Sequence, residues 1–235
     1  MPFFMYYDPT YFLVLIGVVL SLLASARVKG TFNKYSGMRN SRGMTGAQAA
    51  QEVLRSAGIF DVRVEHVSGN LTDHYDPRTK VLRLSDTVYG QTSVAAVGVA
   101  AHECGHAIQH AHGYGPLKLR SVLVPVANFG AQIAWPLILV GLLINSESSW
   151  FIIQTGILAF SLSVLFQLVT LPVEFNASGR AIRILADTGM MYGEEIVAAK
   201  KVLNAAALTY VAGAAASILQ LLRLILLTRG RRRND

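Results

Sequence analysis

His102-Glu103-Cys104-Gly105-His106 spells His-Glu-x-x-His inside an apolar, alanine-rich stretch, residues 97–111, that contains no proline. On a helix, positions i and i+4 share a face, so both imidazoles can reach one Zn²⁺. Glu103 projects beside them, placed to take a proton from a zinc-bound water. Residues 99–108 carry no charge apart from the motif itself. Two histidines and a carboxylate on so apolar a helix are costly to bury without a partner. The chemistry these types and this spacing support is metal-assisted hydrolysis with Glu103 as general base. Cys104 is the single cysteine, so no intrachain disulfide forms. It lies about 100° around the helix from its neighbours, and helix packing suits it better than a ligand or nucleophile role.

A catalytic zinc takes three protein ligands and keeps a fourth position open. His112 has the spacing of a metzincin third histidine, but that pattern needs a helix-breaking glycine at position 109, where Gln109 stands. His110 shares the right face but sits about 12 Å along the helix from His102, too far for a shared ion. His66 and His74 have no characteristic spacing. Glu174 is the strongest remaining candidate, in a segment where an apolar run leaves the membrane. Pro172 reads as the start of a new helix, with Glu174 in its first turn. A carboxylate stabilised there by the helix dipole is the competing reading, and spacing alone leaves both open.

The elements that must position these residues are mostly apolar. The chain has 235 residues, 52% hydrophobic and 15% charged, with a mean hydropathy of +0.41. Apolar runs cover residues 10–26, 121–144, 150–171 and 205–227, each long enough for a bilayer helix, the first near the lower limit. The expected fold class is therefore a mainly α integral membrane protein with three to four membrane helices and a small α+β zincin-like segment. The formal charge of +7 does not read as a nucleic-acid footprint. All 21 Lys and Arg lie in 27–121, 172–204 and 205–235, a segregation the positive-inside rule produces. It places the N-terminus outside, 27–121 and 172–204 inside, and the 145–149 turn outside. Phe3, Phe4, Tyr6, Tyr7 and Tyr11 would then line the outer interface. Ala24-Ser25-Ala26 resembles a signal-peptidase site, but Asp8 and the lack of a preceding positive charge favour an uncleaved anchor. Arg223 interrupts the fourth run, and the basic tail after it favours, slightly, an end on the inner side.

Between the first two runs, residues 27–44 read as a basic juxtamembrane linker. Thr45 caps a helix that Gly58 ends. Strand-like runs at 62–67 and 81–84, with 71–75 joined to the latter by an Asp76-Pro77-Arg78-Thr79 turn, suggest a small meander. The His-Glu-x-x-His helix follows from about residue 91. A strand beside that helix could offer a free edge to an extended peptide. The expected division is an anchor (1–28), a cytosolic α+β segment (29–121), a transmembrane hairpin (122–171), a cytosolic helical segment (172–204), and an apolar helix with a basic tail (205–235).

Four stretches together resemble a known family. They are Leu71-Thr72-Asp73-His74-Tyr75-Asp76-Pro77, Leu82-Arg83-Leu84-Ser85, Ala101 to Gln109 around the motif, and Leu171-Pro172-Val173-Glu174-Phe175-Asn176-Ala177-Ser178. The combination is similar to the neutral zinc metallopeptidases of bacterial membranes (YugP-like), over nearly the whole chain. Their site layout resembles that of integral-membrane gluzincins, and this implies Glu174 as third ligand beside His102 and His106. Those wider relatives carry Glu-x-x-x-Asp, whose aspartate supports a ligand histidine. Here Ser178 takes that position, with Asn176 nearby, so either would give a neutral hydrogen bond and less electrostatic support. The resemblance implies a multi-pass zinc endopeptidase of the cytoplasmic membrane, with Glu103 as base, a site on the cytosolic side and a protein or peptide substrate. The other classes are a metal-stabilised adaptor that binds clients without cutting them, and a transporter. No apolar run displays the internal acidic or histidine pair that a transporter would need. Tyr210 could serve as an oxyanion donor, although aromatic packing suits it better.

Overall fold

The computed structural model describes residues 9–144 and 148–231. The expected outer turn at 145–149 lies partly outside the described residues. So do Phe3, Phe4, Tyr6 and Tyr7, and Arg232 and Arg233 of the tail. The elements are α1 (Tyr11–Ser36), α2 (Gly46–Ser56), β1 (Arg63–His66), β2 (His74–Asp76), β3 (Val81–Leu84), α3 (Val94–Ala111), α4 (Gly115–Leu143), α5 (Ser148–Asp187) and α6 (Glu194–Arg231). This is a mainly α protein with one small sheet, and α1, α4, α5 and α6 are long and apolar enough to cross a membrane. The chain divides into two compact units. One comprises Ala24–Leu119 with Thr170–Thr209; the other takes the described residues of Met1–Leu23, Arg120–Val169 and Tyr210–Asp235.

In the first unit, local chemistry sets the helix ends. Thr45 and Gln48 form a reciprocal capping box at the start of α2, and Gly58 beyond its end adopts a φ of +71° that favours glycine. Ser93 caps α3 by accepting from the Ala96 amide. At the other end His112 is the C-cap, and Gly113 follows at φ +62°. The apolar face of α2 (Ala49, Ala50, Val53, Leu54) packs with Ala96, Val97, Ala100 and Cys104 of α3, together with Leu82 and Leu84 of β3. Small residues dominate, so the two helix backbones approach closely.

The sheet order is β1-β3-β2, with β1 parallel and β2 antiparallel to β3. The expected meander is therefore corrected. Only β2 and β3 form a hairpin, through the 76–79 turn, whereas β1 pairs with the opposite edge of β3. The pattern follows burial: Val81, Leu82 and Leu84 of β3 are buried, as a central strand requires, and β1 and β2 are half exposed.

Two expected breaks are absent. Residues 27–36 are not a linker but the continuation of α1, because Phe32 is buried in the core of this unit and holds the turn in place. Pro172 does not begin a helix either. It lies inside the 40-residue α5, with Thr170 and Val173 buried on either side. Proline removes one backbone donor and clashes with the carbonyl four residues back, so tertiary packing here overrides a local breaker.

In the second unit, α4 and α5 pack through glycines. A Cβ on Gly130 would sit 2.6 Å from the Ala159 carbonyl oxygen, and one on Gly156 3.0 Å from that of Ala134. Helices in lipid gain contact in this way, through van der Waals approach of small residues. α1 and α6 run antiparallel, with Gly17 against Ala216 and the Arg223 guanidinium 4.1 Å from the centre of the Tyr11 ring. The late part of α6 thus reaches the start of α1. A Cβ at Gly213 would lie 3.8 Å from Gln167 Oε1, and the close approach of α6 to α1 is at Ala216.

Candidate metal centre

The site is built from two helices of the first unit. Gly105 lets them meet: a Cβ there would lie 2.5 Å from the Ala177 carbonyl oxygen. Across this contact α3 presents His102 and His106, one turn apart, and α5 presents Glu174. The carboxylate is 2% exposed and the two imidazoles 13% and 11%. Glu174 Oε2 lies 3.3 Å from His102 Nε2 and 3.6 Å from His106 Nε2. One ligand atom from each of the three lies within 4.8 Å of the others. Among the described residues this is the group of histidine and acidic side chains able to hold a metal ion.

The donor set fits zinc. Bonds of about 2.0–2.1 Å in a tetrahedron put neighbouring ligand atoms roughly 3.3 Å apart, close to the 3.3 and 3.6 Å found here. The set is two nitrogens and one carboxylate oxygen, which leaves a fourth position open, as in a catalytic site. Because Glu174 lies deep within α5 and not at a helix start, the dipole reading of this carboxylate loses its basis.

The ring nitrogens facing away from the site decide the tautomers. Gln109 is fully buried, and its Nε2 donates to the Val173 carbonyl (2.8 Å) and to Asn176 Oδ1 (3.0 Å). Its Oε1 must therefore face His106, where it accepts from Nδ1 at 3.0 Å. A protonated Nδ1 leaves the Nε2 lone pair of His106 for a metal. Asn176 is itself oriented by Arg180, whose Nε donates to the same Oδ1 at 2.8 Å. His102 Nδ1 pairs with Ser178 Oγ at 3.0 Å. The serine thus occupies the supporting place, while Asn176 acts one residue removed, through Gln109.

Burial opposes protonation of His106, but Glu174, the nearby Glu103 charge and Gln109 outweigh it and hold the imidazole above its ordinary pKa. Glu103 is buried on α3, and its charge also acts on Asp73. Asp73 accepts from the Ser85 amide (2.7 Å) and hydroxyl (3.0 Å). Burial and the Glu103 charge raise its pKa, against these bonds. Burial likewise pushes the Cys104 thiol well above its usual range, with the charge of Glu103 adding to it; its Sγ meets the Ala50 carbonyl at 3.5 Å. A thiol so held stays protonated and inert.

The remaining histidines have other partners. His66 pairs with Asp86 and His74 with the Thr72 carbonyl. His110 meets the Tyr75 hydroxyl, whose pKa burial and the charges of Asp61 and Asp76 push up to about 12. His112 faces Arg180. From the sequence, Gln109 serves only to exclude a metzincin site. Its place three residues after His106, one turn along the same face, was the signal for its role.

Residues 10–229 match a family described as "Putative neutral zinc metallopeptidase". The chain is 48% identical over 216 residues to "Putative membrane protease YugP" of Bacillus subtilis (strain 168), covering 92% of this chain and 95% of the relative. No solved structure matches it. With a match over nearly its full length, the chain belongs to the neutral zinc metallopeptidase family.

Proposed function

We propose that the protein is a membrane-anchored zinc endopeptidase that hydrolyses peptide bonds at the inner face of the cytoplasmic membrane. The observation that carries this reading is the convergence of His102 Nε2, His106 Nε2 and Glu174 Oε2, with the opposite nitrogens of both rings already engaged. These three residues would hold the ion. Bound there, Zn²⁺ supplies a Lewis acid that acidifies a water and polarises the scissile carbonyl. Glu103, next in sequence to His102 and on the same helix, takes the proton of the attacking water and passes it to the leaving amine. Gln109 keeps His106 in the tautomer that offers Nε2, and Ser178 Oγ holds the His102 ring at Nδ1.

The inner-face assignment rests on charge. Of the 21 Lys and Arg, 12 lie in 27–121 and 4 in 172–204, the segments that contribute the motif and Glu174, and none lies in 1–26. The relative's printed name, a membrane protease, supports a protein or peptide substrate.

The test is metal removal and return. Detergent-purified protein stripped with a chelator is expected to lose cleavage of unfolded casein and to regain it with one equivalent of Zn²⁺. Cleavage that persists in fully stripped protein would contradict the reading.

A further inference from the structure

A second polar site lies in the first unit, away from the metal ligands, in a groove of about 440 Å³ between α1 and α6. Its α1 wall is Arg27, Gly30, Thr31, Lys34 and Tyr35, the i, i+3, i+4, i+7, i+8 pattern of one helical face. Its α6 wall repeats the spacing with Lys201, Asn204, Ala205 and Leu208. Three cations and three neutral hydrogen-bonding side chains thus face one space, and no carboxylate lines it. Among the described residues, Arg27, Lys34 and Lys201 take part in none of the ion pairs.

The position along both helices is informative. Arg27 immediately follows the apolar run of α1, and Ala205 opens the apolar run of α6. The groove is made where each helix changes from polar to apolar, the level at which a bilayer presents its phosphates. A Cβ at Gly30 would meet nothing within 4 Å, and no side chain from this position enters the groove.

We infer that this groove binds a phosphate-bearing anion, of the chemistry that a phospholipid headgroup and free phosphate share. The cations neutralise the phosphate, and Thr31, Tyr35 and Asn204 donate to its oxygens. Ala205 and Leu208 provide the apolar side on which a lipid's glycerol and chains would rest.

The experiment uses the full chain in neutral detergent micelles, probed with fluorescent phosphatidylglycerol and competed by unlabelled phosphatidylglycerol, phosphatidylcholine or inorganic phosphate. Saturable binding is expected that weakens with salt. The double substitution Lys34→Ala with Lys201→Ala should weaken it roughly tenfold or more. Gly30→Leu, which keeps every charge and fills the groove, should do the same. Zinc content and circular dichroism of both variants should match the wild type, since the groove and the metal ligands are separate. Competition by phosphatidylglycerol alone assigns a lipid headgroup; competition by inorganic phosphate as well assigns a soluble anion to the same site. Binding that neither variant alters, no saturable binding of the fluorescent probe, or equal competition by phosphatidylcholine overturns the assignment.

Discussion

Gln109 shows how much of the centre depends on a residue that touches no ligand atom. It fixes His106 from behind and joins α3 to the Val173 carbonyl and Asn176 of α5. Gln109→Leu fills similar space but leaves buried groups without partners, which costs about 1–3 kcal/mol. The expected result is lower stability in denaturant unfolding, with zinc affinity down by roughly 10–100-fold in a competition titration. Ser178→Ala should weaken zinc in the same assay through His102, with little change in stability, because Ser178 lies at the margin of burial. Asp73 allows a test with a defined sign. Its folded pKa is raised above the unfolded value, so its contribution favours the fold below the unfolded pKa of about 4 and is lost as pH rises through the folded value. Asp73→Asn keeps an acceptor for the Ser85 amide and removes the charge that Glu103 repels. It should unfold at the same or a higher temperature than the wild type at pH 7, with the difference shrinking towards pH 4. A marked loss at pH 7 would mean that the Ser85 bonds to the charged form dominate. At this scale the sequence was legible where ligand spacing is written into one helix, as for His102, Glu103 and His106. Glu174 is 68 positions after His106, and no local pattern distinguishes a ligand carboxylate from a capping one; the resemblance was what raised it.

The pairing of α3 with α5 is the element that brings the ligands together, and Gly105 is where it is closest. Gly105→Ala places a Cβ against backbone atoms of Ala177, so the helices must part. Overpacking of this kind costs about 1–3 kcal/mol. Because α3 carries both histidines and α5 the carboxylate, zinc affinity should fall together with stability. Gly98→Ala is the contrast on the same helix. Its Cβ would meet Ala199 at 3.4 Å, an ordinary contact, and zinc affinity should hold. Equal zinc affinity in the two variants would show that the α3–α5 approach does not set the site. Helix existence was readable from the apolar runs, and the α2 boundaries from Thr45 and Gly58. The two misplaced boundaries share a cause. A basic stretch at 27–36 and a proline at 172 are local signals for a break, but buried Phe32 on one side and buried Thr170 and Val173 on the other hold the helices through. Such contacts join residues far apart in sequence, so a window along the chain does not contain them. The sheet order failed for the same reason, since alternation marks a strand without naming its neighbour.

For the whole molecule, four helices are long and apolar enough to cross a membrane, and residues 1–26 carry no Lys or Arg while 27–121 carry 12. Sidedness can be measured because Cys104 is the single cysteine and is buried. In a Cys104→Ala background, new cysteines at the exposed positions Asn33 and Tyr192 should resist an impermeant thiol reagent in intact cells and react after permeabilisation. Labelling of either in intact cells would place the site on the outer face. The composition and its segregation made the membrane class legible from the start, whereas the antiparallel α1–α6 pairing depended on the Arg223–Tyr11 contact that no charge count reveals. The central claim is that Glu103 moves the proton while His102, His106 and Glu174 hold the metal. Its most direct test compares zinc-loaded wild type with Glu103→Gln on unfolded casein, with bound zinc quantified in both. The account predicts one zinc in each and cleavage by the wild type alone; cleavage by the Glu103→Gln protein, or none by either with zinc bound in both, would contradict it.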